Sequence, residues 1–127
     1  MKDIVLDIAP VAKPRMTRRD KWSPSTAAKK YFDFANRLRA KAAKKHYSVT
    51  LPLSITFVVE VPKSWSKKKK EKHLGELKDS RPDLDNYIKA FKDALCKEDS
   101  WVSHYGEMKK IWGTESKIII HELGNEE

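Results

Sequence analysis

Arg81-Pro82-Asp83-Leu84-Asp85-Asn86-Tyr87-Ile88-Lys89-Ala90-Phe91-Lys92-Asp93-Ala94-Leu95 decides how this chain is read. Leu84, Tyr87, Ile88, Phe91 and Leu95 recur at helical spacing, so the segment from about Leu84 to Lys97 reads as an amphipathic helix entered from an irregular, proline-marked loop at 78–82. Both flanks carry strand signals instead. From Val49 to Val61, Leu53, Ile55, Phe57, Val59 and Val61 alternate with Ser54, Thr56, Val58 and Glu60 until Pro62 stops the run. Beyond the helix, roughly Val102–Trp112, a turn at Gly113-Thr114, and Lys117–His121 with its three isoleucines read as a terminal hairpin.

The N-terminal third supplies two more elements. Ile4, Leu6 and Ile8 alternate with Asp3, Val5 and Asp7 as a short strand. A helix is expected from near Ser23, with Pro24 in its first turn, to near His46, burying Ala27, Tyr31, Ala35, Leu38 and Ala42. Ser64 to Leu77 reads as a further short, highly charged helix. The order is β-α-β-(α)-α-β-β, which predicts a single α+β domain over 1–127, a small mixed sheet with helices packed on it.

With 127 residues, 39% hydrophobic and 35% charged, the chain is long enough to bury a core without disulfides. Its single cysteine, Cys96, precludes an internal disulfide and suits a reducing, cytoplasmic setting. Cys96 itself reads as a helix-end packing residue. No apolar run reaches the roughly 18–20 residues of a membrane span, and Met1-Lys2-Asp3-Ile4 lacks a signal-peptide core. The formal net charge of +9 favours a polyanionic partner. Residues 13–45 hold 12 Lys or Arg against two Asp, a local surplus of +10 that accounts for the whole excess.

The chemistry concentrates at the start of the Leu84 helix. Asp83 and Asp85 are crowded at i and i+2, where both ionise most easily with a divalent cation between them. Mg²⁺ takes such hard oxygen ligands. Lys89 lies one turn beyond Asp85 on the same face and could hold a phosphate or offset charge building on it. Glu98-Asp99 follows the helix and offers a third carboxylate. A structural reading fits the same residues: Asp83 as a helix cap stabilising by about 0.5–2 kcal/mol, and Asp85–Lys89 as a solvent ion pair contributing roughly 0.3–0.5 kcal/mol.

Asp83-Leu84-Asp85-Asn86, then Lys89-Ala90, Asp93-Ala94-Leu95 and Glu98-Asp99-Ser100-Trp101-Val102, resembles the core of the RusA-type Holliday-junction resolvases, small endonucleases common in phages and prophages. Lys13-Pro14-Arg15 resembles that family's basic element before the first helix. The first acid of the late pair is Glu98 where the family pattern has Asp. The resemblance implies that Asp83, Asp85 and Asp99 bind Mg²⁺, with Mn²⁺ a plausible substitute, and that Lys89 is the catalytic lysine. It also implies a homodimer that resolves four-way junctions in DNA recombination and repair by paired phosphodiester hydrolysis, with no membrane and no small-molecule cofactor beyond the metal. The competing functions are a non-catalytic nucleic-acid-binding protein and a nuclease of the same core that prefers flaps or forks.

Lys13, Arg15, Arg18 and Arg19 in the proline-bounded loop are the preferred phosphate contacts, joined by Arg81. Lys67, Lys68, Lys69 and Lys70, beside Trp65, either reach a junction centre or form a solvated charged loop. Trp101 and Trp112 read as core or dimer-interface residues. The four histidines and one cysteine show no zinc spacing.

Overall fold

Alternating apolar residues do build the strands, but the last two do not pair with each other. The computed structural model describes residues 2–15, 17, 19 and 23–122. Its elements are β1 (Lys2–Leu6), α1 (Thr26–Lys44), β2 (Leu53–Glu60), α2 (Lys67–His73), α3 (Leu84–Leu95), a 3-10 turn at Asp99–Trp101, β3 (Tyr105–Gly113) and β4 (Lys117–Glu122). The chain is α+β, with a mixed four-stranded sheet in the order β1-β4-β2-β3. The strands and α2 belong to one compact unit, and α1, α3 and the loop preceding α1 to a second. Among the described residues, no helix is long and apolar enough to cross a membrane.

The expected terminal hairpin is thus overturned. β4 runs antiparallel to both β1 and β2, with Ile4 and Ile55 each opposite Ile120, while β3 runs parallel to β2 on its other side. The cause is visible in burial. Ile118-Ile119-Ile120 is a continuous apolar run suited to a central strand, and Ile118 and Ile120 are fully enclosed beside Leu6, Ile55 and Phe57. β3 carries Glu107, Lys109 and Lys110 and tolerates the edge. Residues 75–78 partly cover that edge: Gly75 N–H donates to the Trp112 carbonyl (2.8 Å), Trp112 N–H to Glu76 (3.0 Å), and Lys78 N–H to Lys110 (2.9 Å). Gly106 suits the meeting of β3 with β2: a Cβ there would lie 2.0 Å from Ser54 Oγ and displace that hydroxyl, which accepts from Glu107 N–H at 3.1 Å.

The element boundaries have local causes. β2 starts after Pro52, which has no N–H to give a ladder. The cap of α1 is Ser25 rather than Ser23: its Oγ accepts from Ala28 N–H at 3.2 Å. Ala28, not Ala27, then starts the buried stripe, which continues through Tyr31, Phe34, Ala35, Leu38 and Ala42. At the other end His46 adopts φ 55°. There His46 N–H donates to Ala43 and Tyr47 N–H to Ala42, the paired bonds of a Schellman stop. α2 begins on a Ser66 cap and ends well before Leu77, because Gly75 takes φ 83°, a left-handed conformation that terminates helices. No residue of α2 is buried. α3 buries Tyr87, Ile88, Ala90, Phe91 and Ala94 and packs on α1, while Leu84 and Leu95 are only half-buried. Trp112 is buried, with the Trp65 ring centroid 4.9 Å away. Trp101 is exposed, which excludes the core alternative of its expected role and leaves the dimer-interface one.

Candidate active site

The start of α3 carries the carboxylate for which the sequence offers two uses, capping and metal binding. Asp83 occupies the N-cap position, with extended backbone (φ −66°, ψ 145°), yet its side chain makes no capping hydrogen bond. The cap is carried by its main chain alone, whose carbonyl accepts from Asn86 N–H at 3.1 Å. Asp85 follows in the first turn, and both acids are exposed. Two acids at a helix N-terminus are favoured by the helix dipole, which offsets part of their mutual repulsion. The cap reading is correct in position and fails in its hydrogen bond, which leaves the Asp83 carboxylate available to a ligand.

Further along α3 a carboxylate is fully engaged. Asp93 Oδ2 lies 2.7 Å from Lys13 Nζ and 3.6 Å from Lys89 Nζ. Lys13, expected as a phosphate contact, instead rests its ammonium on Asp93 and 4.5 Å over the Tyr31 ring. Its main-chain N–H also donates to the Asn86 carbonyl at 2.9 Å, which fastens the N-terminal loop to the first turn of α3. Burial raises the Tyr31 hydroxyl pKa, the Asp93 charge raises it further, and Arg39 opposes both. Arg39 Nε caps the other end of α3 by donating to the Ala94 carbonyl at 2.8 Å. In the sequence Asp93 stands out only as a member of the motif. Its i+4 spacing from Lys89 was a readable signal, whereas its bond to Lys13, 80 residues away, was not.

Asp99 opens the 3-10 turn three residues beyond Cys96, the residue that ends α3. The Asp99 side chain lies outside what the structure describes, as does Arg18 entirely. Among the described residues no group of three His, Cys, Asp or Glu is gathered for a metal ion. The donor chemistry of Asp83 and Asp85 nonetheless fits Mg²⁺: two adjacent exposed carboxylates, hard oxygen donors that leave the remaining positions to water and phosphate.

Of the remaining basic residues, Arg15 and Arg19 are exposed and line, with Thr17, Ser23, Pro24 and Ser25, a cavity of about 450 Å³. Lys67, Lys68, Lys69 and Lys70 form the first turn of α2, the short charged helix expected in this segment, and Lys69 Nζ stands 4.4 Å over the Trp65 ring. Arg81 is exposed, and its carbonyl accepts from Lys78 Nζ. Lys78 was not anticipated, since a lysine in an irregular connection reads as solvated. It is buried, and that burial lowers its pKa, with the Lys110 charge adding and Asp79 opposing. Its ammonium also donates to the Ser80 carbonyl and hydroxyl, each at 3.0 Å.

A family model described as endodeoxyribonuclease RusA matches residues 7–121. A search of curated proteins finds no match. The family match contains the acids at the start of α3, Lys89, Asp93 and the basic loop in one span, and covers nearly the whole chain. The chain therefore belongs to the RusA family of endodeoxyribonucleases, the enzymes that resolve Holliday junctions.

Proposed function

We propose that this chain resolves four-way DNA junctions by Mg²⁺-dependent phosphodiester hydrolysis, acting as a homodimer of single endonuclease domains. The observation that carries the reading is Asp83: it stands at the helix cap without using its carboxylate as one. A carboxylate placed for capping and left out of the cap beside a second acid is better explained by a cation than by stability.

In this reading Asp83, Asp85 and Asp99 hold the metal. When bound, Mg²⁺ supplies a water of lowered pKa and stabilises charge on the phosphate oxygens. The protein does the rest. Lys89 offsets negative charge on the scissile phosphate as a water oxygen bonds to phosphorus and the bond to the leaving sugar oxygen breaks. Arg15, Arg18 and Arg19 contact flanking phosphates and so position the strand without reading its bases. Lys67, Lys68, Lys69, Lys70 and Arg81 are further phosphate contacts in this reading. A four-way junction has two-fold symmetry, and two symmetric nicks need two sites, which an isologous dimer provides.

The test compares a labelled four-way junction with matched linear duplex, flap and fork substrates, with Mg²⁺, with Mn²⁺ and with neither. Metal-dependent paired nicks in the junction alone are expected. Equal cleavage of linear duplex would reject junction selectivity, faster cleavage of flaps or forks would reassign the substrate, and cutting without divalent metal would reject the metal role. Sedimentation at micromolar concentration tests the dimer, and a monomer that still makes paired nicks would contradict it.

A further inference from the structure

Asp93 gathers two ammonium groups onto one oxygen, and it is the less exposed partner of Lys89: its side chain is 23% exposed against 53% for that lysine. Lys13 fixes it in place. That lysine is 15% exposed, seated over the Tyr31 ring, and tied by its own main chain to Asn86. Asp93 is therefore a fixed negative charge, while Lys89 is a long side chain with rotamer freedom to lose. Asp85, Lys89 and Asp93 also form one row along α3 at four-residue spacing. Lys89 thus has an acid one turn on either side, and Asp93 competes with Asp85 for its ammonium.

We propose that Asp93 is a positioning residue for junction cleavage: anchored by Lys13, it holds the Lys89 ammonium at the height on α3 where the phosphate is met and keeps it from neutralising Asp85. The proposal rests on the reading of Lys89 as the catalytic lysine. It gives Lys13 a task other than phosphate contact, since its ammonium, engaged with Asp93, reaches the reaction through that carboxylate.

The experiment measures single-turnover cleavage of a four-way junction at saturating protein, and junction affinity without divalent metal, for Asp93→Asn, Asp93→Glu, Lys89→Ala and the Asp93→Asn/Lys89→Ala pair. A mispositioned lysine predicts that Asp93→Asn slows cleavage about 10–100-fold. Junction affinity should change by less than about threefold, because no cation that meets a phosphate is removed. Asp93→Glu should restore most of the rate. In the Lys89→Ala background, Asp93→Asn should have no further effect, the signature of two residues acting as one unit. An equal loss of rate with Lys89 present or absent would overturn the proposal, because the carboxylate would then act through the loop or through general stability. So would a folded Asp93→Glu protein with no recovery. Normal cleavage by Lys89→Ala would instead refute the catalytic reading of that lysine and the proposal with it.

Discussion

Replacing Asp83 by alanine separates a capping acid from a ligating one. Where a side chain does cap, as Ser25 does for α1 through Ala28 N–H, truncation costs about 1 kcal/mol. Asp83 has no such bond to lose. Two smaller terms remain. Loss of a negative charge at an exposed helix N-terminus costs roughly 0.3–1 kcal/mol. Relief of the repulsion between Asp83 and Asp85 returns a similar amount, so the net change in metal-free buffer should lie within about 0.5 kcal/mol. For a chain of this length, Ser25→Ala should lower the melting temperature by about 4 °C, and Asp83→Ala by less than about 2 °C. Magnesium should then distinguish the proteins in the opposite sense. A ligand at 100 times its Kd stabilises by about 2.7 kcal/mol. Wild type and Ser25→Ala should gain that increment, whereas Asp83→Ala should gain little of it and should bind junctions without cutting them. Melting curves with and without Mg²⁺, together with junction cleavage, provide the assay. A metal-free loss for Asp83→Ala equal to that of Ser25→Ala would show a carboxylate engaged in capping, and normal cleavage would remove it from the active site.

Three other outcomes are expected. Phe91 of α3 is fully enclosed, so Phe91→Ala should destabilise by about 3–5 kcal/mol in urea unfolding; a cost below about 1 kcal/mol would contradict its place in the core. Burial raises the Tyr87 hydroxyl above its ordinary 10.0, and Tyr31 is raised as well. The folded state therefore retains protons that the unfolded chain releases above about pH 10, and stability present in full below that value should fall as pH rises through the folded pKa values. Tyr87→Phe should flatten that alkaline loss, and an unchanged slope of the urea midpoint against pH would argue against it. Replacing both Arg15 and Arg19 by glutamine should lower the slope of log K against log salt for junction binding by roughly 0.9 for each phosphate no longer neutralised, whereas an unchanged slope would free the cavity they line from any role in holding DNA.

Much of the local architecture was readable because short-range chemistry governs it. The 3.6-residue period of Tyr87, Ile88 and Phe91 and the alternation of Leu53, Ile55 and Phe57 identify a helix and a strand without reference to any distant residue. The helix ends were readable only to within a few residues. Ser23 and Ser25 are equally good caps in isolation, and the choice fell to Ser25 because it puts Ala28 at the head of the buried stripe. The motif Asp83-Leu84-Asp85-Asn86 with Lys89 was also visible as a pattern of residue types. Whether Asp83 caps or stands clear of the cap was not, since both uses need the same residue at the same place.

The chain's strands, helices and acidic motif follow from periodicity, caps and the short reach of neighbouring side chains. The pairing of those strands does not. β3 and β4 lie next to each other in sequence, with a Gly-Thr turn suggesting a hairpin, and yet β2 separates them. Burying Ile118 and Ile120 on both sides, between β1 and β2, removes more apolar surface from water than an edge position would. The same holds for polar contacts: the meeting of Lys13 with Asp93 and the buried seat of Lys78 over Trp112 depend on segments that come together only on folding. Local pattern sets which residues are available for catalysis, and long-range packing sets which of them are already bound to one another before DNA arrives.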